Sequence, residues 1–156
     1  FGHSRFGAWR SSIQSHCVSH SPLETLTMDM LRLEIRSSKE IIEDKVGKKV
    51  TSLSLPHGSQ HPGLLQEASD CGYKFVCTSE INYYNPSSAQ DVKLIPRIPV
   101  PDTSSIELFS EIVLGNGNTV ESWRRAQNLK SMLKKIIGIN NYRKIYRFIY
   151  NVKIGA

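Results

Sequence analysis

Long apolar runs are missing from this sequence. No stretch of eighteen or more apolar residues occurs, so none of it reads as a membrane-spanning helix. The opening "FGHSRFGAWRSS" lacks the apolar segment of a secretory signal, and the first residue is Phe1 rather than Met, so a processed or truncated product is expected. Cysteine is scarce. The three present (Cys17, Cys71, Cys77) are an odd number without metal-type spacing, which disfavours a disulfide framework and suits free or buried thiols in a reducing compartment. Acidic residues are absent from two places: none precedes His16, and none follows Arg124, although nine Lys or Arg stand between Arg124 and the end. The formal charge of +6 therefore hides an uneven distribution. Residues 1–123 hold eleven basic and fourteen acidic side chains, a net of −3, and the remainder is a basic tail.

What is present suffices for one domain with a core: 156 residues, 39% of them hydrophobic. In "TMDMLRLEIRSSKEIIEDKVG", Met28, Leu31, Ile35, Ile42 and Val46 share a helical face, with Thr27 as N-cap and Gly47 closing the helix. "KKVTSLSLP" alternates around Leu53 and Leu55 and reads as a short strand ended by Pro56. A short helix comes next in "PGLLQEASDCG", using Leu64, Leu65 and Ala68, then a strand in "YKFVCTS" and a loop in "EINYYNPSSAQD". "VKLIPRIPV" is extended, and "TSSIELFSEIVLG" is a helix capped by Thr or Ser and closed by Gly115. Counting a strand-like run before His16, strands alternate with helices, the order of parallel βα units. Beyond "GNGNT" the chain reads as one long helix or two, broken near Gly138 or Asn140-Asn141. Leu129, Met132, Leu133, Ile136 and Ile137 form one apolar face there, and Ile145, Phe148 and Ile149 another.

The candidate chemistry lies in "IQSHCVSHSPLETLT" and "SLPHGS". His16 and His20 are four residues apart, but the serines and Pro22 disfavour a helix. Fully extended, their α-carbons would stand roughly 13 Å apart, too far for one ion, so sharing a metal needs a curl after His16. Taken alone, two histidines in a polar loop are more often solvated bystanders than ligands. "SLPHGS" comes directly after the next strand, and its Pro56-His57-Gly58 turn can aim a backbone N–H at a ligand whatever the side chain at 57. Both features fall at C-terminal ends of successive strands, where β/α barrels gather catalytic groups. His3, near the terminus, and His61, just past the turn, read as solvated loop histidines.

The order of these features resembles the central part of the polysaccharide deacetylase family, the NodB-homology domain or carbohydrate esterase family 4. That family has a distorted (β/α) barrel with a His-x-x-x-His motif after one strand and a Pro-aromatic-Gly turn after the next. His16 and His20, Pro56 to Gly58, and Gly72-Tyr73 match in order and approximate spacing, and "LIPRIPV…LFSEIVLG" resembles the last strand and helix of some members, so the likeness runs over roughly residues 10–115. It implies an incomplete (β/α) barrel over 1–115, followed by a basic amphipathic helical tail over 116–156. It implies metal-dependent amide hydrolysis, releasing acetate from an N-acetylated sugar or polysaccharide. His16 and His20 would bind Zn²⁺ or a similar divalent ion with a carboxylate as third ligand, and a metal-bound water would attack the acetamide. The backbone N–H of His57 would stabilise the oxyanion, and Pro56 and Gly58 would line the substrate site. Arg97 would orient a carboxylate or contact sugar, or serve only as a surface or salt-bridge residue.

Four departures qualify that likeness. The family's aspartates, in a Thr-Phe-Asp-Asp-Gly segment on the first strand, have no counterpart among the fifteen residues before His16. Cys17 replaces the usual Ser or Thr, His57 replaces the aromatic residue, and no histidine comes after His61 to serve as late acid. The expectation is the C-terminal portion of a deacetylase, with weak zinc binding and little activity alone. The alternative is a catalytically inactive remnant or carbohydrate-binding module of the same fold. For the tail, the open readings are a terminal helix packed on the barrel, contact with an anionic membrane surface and, ranking last, nucleic acid. The expected location is the cytoplasm or the cytoplasmic face of a membrane.

Overall fold

A computed structural model of the chain describes residues 12–86, 91–138 and positions 141, 144 and 145. The chain forms two compact units, Phe1–Arg97 and Ile98–Ala156. The first holds α1 (Met28–Val46), β1 (Ser52–Ser54), α2 (Leu64–Asp70), β2 (Phe75–Cys77) and β3 (Lys93–Ile95). The second holds α3 (Ile106–Leu114) and α4 (Thr119–Ile137).

The strands pair in parallel in the order β1-β2-β3, as the alternation of strands and helices requires. Leu53 stands opposite Val76, and Val76 opposite Leu94. The strand-like run before His16 contributes a single parallel bridge, Ser15 to Leu53, closed by Ser15 N–H to the Ser52 carbonyl (3.1 Å) and Ser54 N–H to the Ser15 carbonyl (2.9 Å). Four parallel segments therefore end at one edge. The loops leaving Ser15, Ser54, Cys77 and Ile95 all start there.

α1 begins where the Thr27 hydroxyl accepts the Met30 N–H and ends at Gly47, whose φ of 65° is left-handed. It lays Leu31 and Ile35 on the sheet, where they meet Leu23, Val50, Leu53, Leu55, Leu64, Tyr73 and Val76 in one fully buried cluster. Each large side chain so buried contributes about 1.5–3 kcal/mol. Met28 and Val46, on the same expected face, remain exposed. Strands of three residues span only about 10 Å, against about 28 Å for a nineteen-residue helix, so the sheet covers only its middle. Ser38, on the buried face, shares its hydroxyl with that of Ser15 at 2.7 Å. α2 is tied to α1 by an ion pair that no local sequence pattern announces: Arg32 donates through Nε and Nη2 to the buried carboxylate of Glu67, at 3.1 and 2.8 Å. Gly72 ends this helical segment at φ 75°.

In the second unit, the Ser105 hydroxyl caps α3 by accepting the Leu108 N–H, and Gly115 closes it in the left-handed region. α4 stops at Gly138, one of the two expected break points. The proposed later apolar face reaches Phe148 and Ile149, which lie outside the described residues. Among the described residues no helix is long and apolar enough to cross a membrane.

Candidate functional site

The curl that the histidine spacing demands is present. Cys17 takes φ 63° and His20 φ 59°, turning the chain between the two histidines instead of leaving it extended. Their ring centroids stand 4.9 Å apart with planes at 61°. His57 joins them, its ring edge-on to His20 at 4.6 Å and 74°. All three imidazoles are exposed.

His16 is oriented by the strand edge. Its Nδ1 lies 2.8 Å from the Ser54 carbonyl oxygen. A carbonyl only accepts, so Nδ1 carries the hydrogen, and in the neutral ring the lone pair is on Nε2. An outer hydrogen bond of this kind commonly fixes a metal-binding histidine.

The loop between the histidines hangs on Glu34 of α1. One carboxylate oxygen accepts the N–H groups of Val18 (2.7 Å) and Ser19 (2.9 Å). Burial works against the charge of Glu34, yet the hydroxyl and backbone bonds from Ser19 and the N–H of Val18 outweigh it, holding its pKa below the ordinary value. Within the loop, burial and the neighbouring Glu34 charge push the Cys17 thiol up to about 12, so it is inert as a nucleophile.

After β1 the chain enters the Pro-His-Gly turn. Pro56 is fully buried and anchors the turn; His57, at φ 56°, is again left-handed. Gly58 has φ 65°, and a Cβ there would lie 2.5 Å from Ser79 Cβ and 2.6 Å from its Oγ, so only glycine fits. The Gly58 and Ser59 N–H groups bond back to Leu55 and Pro56. The N–H of His57 has no hydrogen-bond partner among the described residues and is available to a ligand. The Ser59 hydroxyl, accepting the Glu24 N–H at 2.9 Å, ties the turn to the chain after the histidines.

Arg97 spans the strand edge from the far side. It donates through Nε to the Thr78 carbonyl (2.6 Å), through Nη1 to Ser54 Oγ (3.1 Å) and through Nη2 to Ser79 Oγ (3.4 Å). No carboxylate among the described residues pairs with it. Ser54 is thus the hub, holding His16 by its carbonyl and Arg97 by its hydroxyl. Neither Ser54 nor Glu34 stands out in the sequence, because their partners lie 38 and 16 positions away. His61 is used locally, its Nδ1 accepting the Gly63 N–H at 3.0 Å, and His3 lies outside the described residues.

Two imidazoles on one tetrahedral ion have centroids about 5 Å apart, given metal–nitrogen bonds of about 2 Å. The spacing of His16 and His20 and the bare Nε2 of His16 fit two ligands of a divalent ion. Among the described residues no group of three His, Cys, Asp or Glu side chains completes a set.

Comparison with known proteins points to a family for the first part of the chain. The family model for polysaccharide deacetylase matches residues 8–76. No curated protein matches the sequence. Among solved structures, the chain is similar to the deacetylase PplD of Streptococcus pyogenes, determined in complex with acetate: 26% identity and a TM-score of 0.55 over 63% of this chain and 42% of that one. It is also similar in fold to a polysaccharide deacetylase of Bacillus cereus, with 24% identity and a TM-score of 0.56 over 64% of this chain and 31% of the other. The chain spans less than half the length of either. Over residues 8–76 the chain therefore matches part of a polysaccharide deacetylase domain of the NodB type.

Proposed function

We propose that the first unit carries the histidine half of a metal-dependent N-deacetylase site, which hydrolyses the amide C–N bond of an N-acetylated sugar to acetate and a free amine. The observation that carries this is the pairing of His16 and His20 at 4.9 Å beside the unbonded N–H of His57. His16 and His20 would hold a divalent ion, zinc or a similar one, which when bound supplies Lewis acidity towards water and the acetamide carbonyl. The Ser54 carbonyl keeps His16 in the tautomer that leaves Nε2 bare, and the Glu34 carboxylate keeps the intervening loop curled. The His57 N–H donates to the oxygen on which negative charge develops, a role that needs no particular side chain at 57. Gly58 lets the turn sit close to Ser79, and Arg97, braced by three acceptors, presents its guanidinium edge to sugar hydroxyls or to a carboxylate. The same reading takes the chain as an incomplete (β/α) barrel followed by a basic helical extension. The parallel strand edge and the likeness in fold support it.

The test is calorimetric zinc titration of the 156-residue chain, followed by an acetate assay. Weak 1:1 binding is expected, lost in His16→Ala and in His20→Ala and kept in His57→Ala; uptake indifferent to both His16 and His20 overturns the site. Acetate release from N-acetylglucosamine oligomers is expected only when the Asp-Asp segment of a NodB-type domain is supplied, fused ahead of the chain. A fused protein that binds zinc tightly yet releases none favours the second reading, a carbohydrate-binding remnant, which the lack of a third donor among the described residues supports.

A further inference from the structure

Helix α4 bears an apolar stripe left open to solvent. Leu129, Met132, Leu133 and Ile136 are 54, 52, 41 and 71% exposed, and at about 100° per residue they fall within roughly 100° of arc. The one buried residue of the helix, Val120, projects from the opposite side, so packing inside the unit leaves the stripe uncovered. Lys130 and Lys134 border the stripe on one flank and Lys135 on the other. Near the start of the helix Glu121 accepts from both Arg124 and Arg125, and beyond it the sequence has no acidic residue at all.

We propose that α4 docks on an anionic lipid surface, its stripe sunk among the acyl chains and its lysines among the headgroups. The pattern of charge selects this occupant. A second copy laid stripe to stripe would set lysine borders against each other in a segment whose sequence holds no Asp or Glu beyond Glu121, a repulsive arrangement. Nucleic acid would use the cations and leave four large apolar side chains in water. A bilayer with acidic headgroups takes both at once, and a nineteen-residue helix with five Lys or Arg lies along such a surface instead of crossing it. The proposal is independent of the catalytic reading.

Flotation of the full chain with phosphatidylglycerol-containing vesicles, against pure phosphatidylcholine vesicles, tests it. Binding is expected to the anionic vesicles alone and to fall steeply as salt rises from about 0.1 M to about 1 M. The triple change Lys130→Gln, Lys134→Gln, Lys135→Gln should weaken it about a hundredfold, and Ile136→Asp should abolish it. These side chains are exposed, so circular dichroism should show both variants folded as the parent. No binding to anionic vesicles, equal binding to neutral ones, or binding indifferent to these substitutions overturns the proposal. So does a dimer in sedimentation that Ile136→Asp dissolves, which would assign the stripe to a second copy.

Discussion

Cys17, His20 and His57 hold φ of 63°, 59° and 56°, and among the described residues no other non-glycine is left-handed. Each such residue costs about 1–2 kcal/mol relative to ordinary backbone. All three border the same corner of the sheet, and such strain persists where surrounding structure over-determines it. Cys17 is partly buried and packs against the core cluster; at His57 the side chain is exposed, and its ring gains only the edge contact with His20. His57→Gly should therefore raise stability by about 0.5–1 kcal/mol, net of the freedom glycine adds to the unfolded chain. Zinc uptake should persist, because position 57 offers its N–H and not its ring. A urea midpoint unchanged or lowered in the glycine variant would show that the ring contact outweighs the strain. This left-handed backbone was hidden in the sequence: the His-x-x-x-His spacing announced a curl without saying which residues bear it. The Ser54 acceptor of His16 was equally hidden, since nothing local to either residue reports a bond between positions so far apart.

At the scale of elements, the single link that matters most to the site runs from α1 to the histidine loop through Glu34. Its pKa in the fold lies below the ordinary 4.5, because the Ser19 and Val18 bonds overcome the opposing effect of burial. A depressed carboxylate stabilises the fold fully above its unfolded pKa, and the contribution disappears as pH falls through the lower folded value. Urea midpoints measured downward from about pH 6 should thus drop below about pH 4.5, and Glu34→Gln should flatten that slope. At neutral pH the same variant should bind zinc about tenfold more weakly, as loss of an outer positioning group does. An acid slope identical in the glutamine variant would remove Glu34 from this role. The helices were the legible part of the chain, because Thr27, Gly47 and Gly115 are local stop and start signals and Leu31 and Ile35 keep to the helical period. The extent of their burial was not legible. Periodicity names the face that turns inward, but only the length of the facing strands decides that Met28 and Val46 stay wet.

For the molecule as a whole, the balance of covered and open apolar surface differs between the two sides of its helices. The sheet receives Leu31 and Ile35 of α1, yet Met30, Leu33 and Ile41 of the same helix are 52, 65 and 47% exposed. In the second unit, α3 buries Ile112 and leaves Ile106, Val113 and Leu114 at 77, 64 and 69%. Single exposed leucines are ordinary on folded proteins, but runs of neighbouring ones on one helix mark surface meant to be covered. Each unit carries such a run, so the isolated chain should bind the dye ANS strongly at neutral pH without denaturant. Association that grows with protein concentration should accompany it. Replacing Leu33 and Ile41 with Gln should lower the dye signal of the first unit without shifting its urea midpoint, because neither side chain contributes to the buried cluster. A monomer at all concentrations, with no more dye fluorescence than a fully packed control protein, would mean that these faces are covered within the chain itself.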